Sequence, residues 1–71
     1  MKRFVVKSGT LFADFTTNGD RVRPQVRDVS WMSGERGLQN ASKFRTEALA
    51  SYVGAQVQGV DGPPYVEEVE L

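Results

Sequence analysis

The chain has 71 residues and a formal net charge of zero, so we expect one small domain, residues 1–71, whose core supplies only about 3–5 kcal/mol. It contains neither cysteine nor histidine, which excludes disulfides and leaves any catalysis or metal binding to carboxylates, lysine and hydroxyls. No apolar run approaches the roughly 20 residues of a membrane helix, and the first residues lack the apolar stretch of a signal peptide. We therefore expect a cytoplasmic protein, of the producing or infected cell, that contacts no membrane.

The charges are distributed unevenly along the chain. Residues 1–45 contain nine basic and four acidic residues, a net charge of +5, whereas residues 46–71 contain five acidic residues and no basic one, a net charge of −5. Such segregation can mark an interaction surface. Alternatively, the acidic end folds back as a strand beside the basic ones, and the charges pair across the sheet.

The first 20 residues predict two strands and two turns. Residues 2–7 are rich in β-branched and aromatic side chains and are followed by Ser8-Gly9, which suits a tight hairpin. A second strand follows over residues 10–16 and ends at Asn18-Gly19, the strongest short hairpin signal because both residues tolerate a positive φ. A third strand is therefore expected from about Arg21.

The third strand, "RVRPQVRDVSW", alternates arginine with apolar residues and then changes its parity. Pro24 lacks the N–H of a sheet ladder, which places this strand at an edge or interrupts it. The change of parity between Val26 and Val29 requires a bulge or a short turn near residues 27–28. The apolar residues can then all face the core, and they are Val22, Val26, Val29 and Trp31.

One helix is predicted, over about residues 45–54, after a polar loop with two glycines over residues 33–40. Thr46 is the expected N-cap, and Leu49, Ala50 and Val53 fall on one face at helical spacing. Residues 55–60 are a strand candidate, and residues 65–71 form a last strand with an imperfect alternation. We expect an α+β fold: a small twisted antiparallel sheet of three to five strands with one helix packed on one face. The expected core residues are Phe4 or Val5, Phe15, Val26, Trp31, Phe44, Leu49, Ala50 and Val53.

The stretch "ASKFRTEALA" resembles the joint of small phage and prophage accessory proteins of the β-β-α-β type. Ala41, Phe44, Thr46 and Ala50 match their pattern of Ala-x-x-Phe-x-Ser/Thr followed by a helical Ala. The resemblance implies structural roles: Phe44 fills the core, Thr46 caps the helix and Ala50 lets it approach the sheet. It also implies a non-catalytic protein of a mobile genome that binds, and in some cases inhibits, a host protein. The insertion over residues 20–40 departs from the pattern and leaves the strand count open.

Catalysis is the weakest functional interpretation. Five carboxylates could in principle form an acid pair or an oxygen-ligand metal site, and they are Asp14, Asp28, Glu67, Glu68 and Glu70. Their spacing does not bring them together, there is no glycine-rich phosphate loop, and the three glutamates are typical of a solvated strand face. We expect no enzyme activity, no cofactor and no metal.

Binding is the favoured interpretation, and two partner classes are considered. An arginine-rich edge strand, with Trp31 or Phe12 stacking on a base, would suit nucleic acid. The basic stripe would then comprise Arg21, Arg23, Arg27, Arg36, Lys43 and Arg45. The sequence pI of about 6.2 argues against this alternative, and a domain this small needs Trp31 in its core. A protein partner, either a host protein or a second copy of the chain, suits the bipolar charge better. The expected binding residues are Arg21, Arg23, Arg27 and Arg36.

Overall fold

Four antiparallel strands form one sheet in a computed structural model that describes all residues 1–71. The strand order is β3-β2-β1-β4, so β3 and β4 are the two edges. This confirms the α+β class and the predicted strand number. The elements are β1 (Lys2–Ser8), β2 (Leu11–Thr17), β3 (Val26–Ser33), α1 (Gly34–Asn40), α2 (Glu47–Gly54) and β4 (Tyr65–Glu70).

The expectation of a single helix is wrong, because residues 34–40 form α1 instead of a loop. The two glycines of this segment were interpreted as loop residues, but Gly37 is buried within the helix. A Cβ at this position would collide with the Met32 carbonyl oxygen and touch the Phe12 ring. Gly37 therefore serves close packing of α1 against β2 and β3, a role that composition alone does not distinguish from a turn.

Three further expectations for the connections are wrong. Asn18-Gly19 does not form a two-residue hairpin: β2 and β3 are joined by residues 18–25, and Gly19 has no positive φ. The third strand consequently begins at Val26, not near Arg21, and Val22 is 78% exposed, not directed to the core. Residues 55–60 form turns and bends and no strand.

The predicted bulge in the third strand is confirmed. Thr16 pairs with Asp28 and Thr17 with Val26, so Arg27 is the extra residue at the register shift. The insertion restores the inward direction of Val29 and Trp31, which pack against the core. The edge position of β3 is confirmed as well. Pro24 is not in the strand but is buried just before it.

The β1–β2 turn is tight, with Gly9 and Thr10 between the paired residues Ser8 and Leu11. Gly9 has a φ of 59°, which a two-residue hairpin with glycine at its first central position requires. Direct pairing of β1 with β2 is confined to this end, at Lys7–Phe12 and Ser8–Leu11. Towards its other end, β1 diverges from β2.

The chain between the two helices fills the gap between β1 and β2. Phe44 exchanges two backbone hydrogen bonds with Phe4, both of 2.8 Å, so it extends the sheet beside β1. On the β2 side, the Ser42 N–H donates to the Ala13 carbonyl at 3.0 Å, and Ser42 Oγ accepts from the Phe15 N–H at 2.8 Å. Residues 42–44 thus bridge the two strands. We call this strip the inserted segment.

The inserted segment carries the chain from one face of the sheet to the other. Val6, Ala13 and Ala50 form the buried cluster between the sheet and α2. Phe12, adjacent to Ala13, points to the opposite face, where Gly37 of α1 lies against its ring. Two helices on two faces replace the one-sided packing that the sequence predicted.

The predicted core is largely confirmed. Val5, Ala50 and Val53 are fully buried, and Val26 and Leu49 are half-buried. The aromatic residues pack against the buried cluster while remaining partly exposed, and they are Phe4, Phe15, Trp31 and Phe44. The Thr46 cap is confirmed, since its Oγ1 accepts from the Leu49 N–H at 3.1 Å.

Candidate functional site

The acidic end of the chain lies beside the basic first strand. Lys7 Nζ is 3.4 Å from Glu67, and Lys2 Nζ is 4.0 Å from Glu68, across the β1–β4 ladder. The amino-terminal amine lies 2.7 Å from Glu70. Cross-strand pairing, one of the two interpretations of the charge segregation, is therefore confirmed. The acids of β4 are balanced by β1 and do not balance the arginines.

The four predicted binding residues are all exposed and form no ion pair. Arg21 and Arg23 lie in the loop over residues 18–25, Arg27 is the bulge residue at the start of β3, and Arg36 lies on α1. The span of β3 from residue 27 to residue 33 is about 20 Å. Arg36 is thus at the end of β3 remote from the other three, and the four do not form one site.

Arg21 borders two adjoining surface recesses, which together we call the loop–helix groove, and Arg23 borders the first of them. One recess, of about 360 Å³, lies between the loop and the outer side of α2. A second, of about 740 Å³, lies between the same loop and residues 43–45. Both recesses share Arg21 and Leu49. The side chains that can contact a ligand here are Arg21, Val22, Arg23, Arg45, Leu49 and Tyr52.

Three of these residues were not predicted to bind a ligand: Val22, Leu49 and Tyr52. Arg45 was considered only as part of the basic stripe for nucleic acid. Val22 was assigned to the core by its alternation with the arginines, and Leu49 by its helical spacing. Tyr52, 43% exposed, falls at the flank of the apolar helix face, which was the available signal. Arg45 reaches the groove only because the inserted segment positions it opposite the loop, which sequence spacing cannot show.

The groove loop is fixed by two side chains. Asp20 Oδ1 accepts hydrogen bonds from the backbone N–H groups of Val22 and Arg23, at 2.8 and 3.2 Å. These bonds lower the pKa of Asp20 below its ordinary value of 3.8, the bond from Val22 contributing most. From the end of α2, Gln56 donates to the Pro24 carbonyl and accepts from the Val26 N–H, both at 2.9 Å. Arg21 and Arg23 are consequently presented by an organised loop.

The charges within the groove are not equivalent. Lys43 donates to the carbonyls of Leu38, Gln39 and Ala41, at 2.8–3.0 Å, and so caps the end of α1. The guanidinium groups of Arg21, Arg23 and Arg45 have no carboxylate within ion-pair distance. Three arginines are therefore the cations available to a ligand of this groove.

The residues considered for catalysis or base stacking have other contacts. Glu67 and Glu68 pair with lysines of β1, and no three acidic side chains are grouped to hold a metal ion. Trp31 packs against the core cluster, and the Phe12 ring lies 4.6 Å from Lys7 Nζ. The exposed aromatic ring beside unpaired arginines is that of Tyr52.

Comparison with protein families, with curated proteins and with solved structures finds no significant match for this chain. Neither helix has the length and apolar character needed to cross a bilayer. The assignment of a function consequently depends on the geometry and chemistry of its surface.

Proposed function

We propose that this chain is a small non-catalytic binding protein that recognises an acidic, partly apolar surface of a partner protein through the loop–helix groove. The observation that carries the proposal is that three arginines without ion pairs, Arg21, Arg23 and Arg45, line two adjoining recesses, one of which also contains exposed Val22 and Tyr52. Interfaces are enriched in arginine and tyrosine, and both are frequent among the residues that dominate binding energy.

The chemistry of the groove favours carboxylate ligands. A guanidinium can bind a carboxylate through two parallel hydrogen bonds, and the three arginines line the same pair of recesses as Val22, Leu49 and Tyr52. The loop held by Asp20 and Gln56 is already ordered, which reduces the entropy lost on binding. The phage-type resemblance extends the proposal to a host protein as the partner, with a second copy of the chain as the other protein candidate.

Nucleic acid is the second candidate, and Tyr52 is the observation in its favour. An exposed ring beside Arg21 and Arg23 could stack on a base of a single strand while the arginines contact phosphates. However, the arginines of this chain are split between β1, the groove, the bulge and α1, and its net charge is zero. The arginine-rich edge strand that suggested this class does not exist, because only Arg27 lies on β3.

The experiment compares two variants with the same change of charge. Arg21→Ala with Arg23→Ala removes groove arginines, and Arg27→Ala with Arg36→Ala removes exposed arginines outside the groove. Partners captured from a bacterial lysate by the parent chain are identified, and their affinity for each variant is measured at several salt concentrations. Both variants should fold normally, since exposed charges contribute about 0–1 kcal/mol each.

The proposal requires that the groove variant bind the captured protein more weakly, mainly through slower association at low salt, while the control variant keeps the parent affinity. Equal affinities of the two variants would place the binding surface elsewhere. Tight binding to random single-stranded DNA with a steep salt dependence would replace the protein partner with nucleic acid. A mass above one chain in size-exclusion chromatography, reduced in the groove variant, would identify a second copy as the partner.

A further inference from the structure

The outer edge of β4 offers free backbone groups at alternate residues. Phe4 uses both its N–H and its carbonyl for Phe44 of the inserted segment, so neither points towards β4. Glu68, which stands opposite Phe4, is therefore in a non-hydrogen-bonded pair, and its own backbone groups point away from β1. In an antiparallel ladder the backbone groups of every second residue point in the same direction, so those of Val66 and Glu70 also point away from β1. No strand pairs with this edge.

A second groove, which shares no residue with the loop–helix groove, runs between this edge strand and α2. Its volume is about 530 Å³, and Val6, Val57 and Val66 form its apolar floor. Gly54 lets the end of α2 approach β1 closely, since a Cβ there would lie 3.3 Å from the Val6 methyl groups. Val66 stands opposite Val6, so the free backbone groups and the groove belong to the same stretch of β4.

Two carboxylates flank the groove on the same face. Glu47, in the first turn of α2, lines it and has no cation within ion-pair distance. Glu68 shares the face of Val66, two residues away, and its only ion pair is the 4.0 Å approach of exposed Lys2. A second copy of β4 would add three glutamates and no basic residue beside this edge. A symmetric pairing centred on Glu67 or Glu68 would also place like charges directly opposite each other, which is destabilising. The edge therefore favours a strand that carries positive charge.

We propose that the β4 edge binds an extended, basic segment of a partner protein by strand addition. In the antiparallel direction, which is the more stable pairing, the partner residue opposite Glu68 precedes the one opposite Val66 by two positions. A lysine would then meet Glu68 and Glu47, and an aliphatic side chain would enter the groove over Val66. The recognised sequence is Lys-x-Val, or a close equivalent, in an extended conformation.

The test uses synthetic peptides and the intact chain, observed by NMR. The peptide Thr-Lys-Thr-Val-Thr, with blocked ends, is titrated into the isotopically labelled protein. We expect the amide resonances of Val66, Glu68 and Glu70 to shift most, because their N–H groups form the free edge. The same peptide with N-methylated amides at its edge-facing residues keeps the charge and the side chains but cannot form the ladder, and it should not bind.

Charge and direction are tested by matched changes. Glu47→Gln with Glu68→Gln should weaken binding of the lysine peptide by up to about fivefold for each pair lost. The same change of charge at exposed acids outside the groove, Asp14→Asn with Glu35→Gln, should leave it unchanged. Thr-Glu-Thr-Val-Thr and the reversed peptide Thr-Val-Thr-Lys-Thr should bind more weakly than the original. The proposal is overturned if no β4 amide shifts at any soluble peptide concentration, or if the N-methylated peptide binds equally well. Concentration-dependent shifts of the same amides without peptide would also overturn it, by showing that a second copy occupies the edge.

Discussion

Asp20 links the order of the groove loop to pH. Its carboxylate accepts from the N–H groups of Val22 and Arg23, and its lowered pKa shows that the folded loop favours the ionised form. Because the folded pKa lies below the ordinary value of 3.8, this contribution to the loop is present above about pH 4 and is lost as the pH falls through the folded pKa. We expect the amide resonances of Val22 and Arg23 to titrate with a midpoint below 3.8.

The matched variant for this prediction is Asp20→Asn. The side-chain oxygen of asparagine can still accept hydrogen bonds from the backbone but does not titrate. The acid transition in the backbone amide resonances of Val22 and Arg23 should therefore disappear, while the loop keeps its conformation at neutral pH. A midpoint at or above the ordinary pKa of aspartate in the parent chain would contradict the proposed hydrogen bonds.

Phe44 tests the link between the inserted segment and the core. Its ring centroid lies 6.1 Å from that of Phe15, at an interplanar angle of 56°, and it packs against the buried cluster while remaining half-exposed. Phe44→Ala should lower the free energy of unfolding by about 3 kcal/mol, the lower end of the range for phenylalanine truncation. For a domain of this size, that leaves a substantial unfolded fraction at room temperature.

Urea denaturation measures this loss, with Tyr52→Ala as the control. Tyr52 is an aromatic residue on the exposed side of α2, so its truncation should change the free energy of unfolding by no more than about 0.5 kcal/mol. Similar unfolding midpoints for the two variants would show that Phe44 is not part of the core.

Among the elements, α1 packs closely on the sheet at Gly37. An alanine within a helix is usually about 1 kcal/mol more favourable than glycine, but a methyl group on Gly37 would collide with the Met32 carbonyl oxygen. Gly37→Ala should therefore destabilise the domain by about 1–3 kcal/mol, the usual cost of overpacking. Thermal or urea unfolding gives the sign of the change directly.

Gly19→Ala is the control for this element. Nothing lies within 4 Å of a Cβ at Gly19, and its φ is not positive, so the substitution should leave stability unchanged or raise it slightly. If Gly37→Ala proved as stable as Gly19→Ala, α1 would have to pack less closely on the sheet than the structure describes.

The same elements show what the sequence could predict. The alternation of β1 and β2, the parity change at Arg27 and the cap of α2 are local signals, because each depends on neighbours within a few residues, and all three proved correct. The Asn18-Gly19 signal failed because Asp20 and Gln56 organise a longer connection. Two glycines concealed α1. Gly37 is required by its contact with the Met32 carbonyl, only five residues earlier, and by the packing of α1 on Phe12 of β2, which is distant along the chain. Such long-range contacts override local propensity.

For the molecule as a whole, the charge pattern was predictable in part. The basic first strand and the acidic last strand pair across β1 and β4, as their opposite charges suggested. The arginines near the middle of the chain remain without ion pairs, and two of the four predicted binding residues border the groove. Arg45 and Tyr52 join them only through the course of the inserted segment and α2. A groove formed by three separate segments is a tertiary feature, and no local pattern encodes it.

The inserted segment also joins two parts of the fold that differ in how far apart along the chain their paired residues lie. Residues 11–40 form β2, β3 and α1 from one continuous stretch, whereas β1, α2 and β4 pair residues as distant as Lys2 and Glu70. The local unit can form early because closing short loops costs less entropy. Residues 42–44 can join the halves only once both strands that they bridge are in place. In pulsed hydrogen exchange during refolding, we expect the amides of Phe4, Phe15, Ser42 and Phe44 to gain protection together and after the other amides of the sheet. Under native conditions, the same four amides should be the first of the sheet to exchange, and they should exchange together.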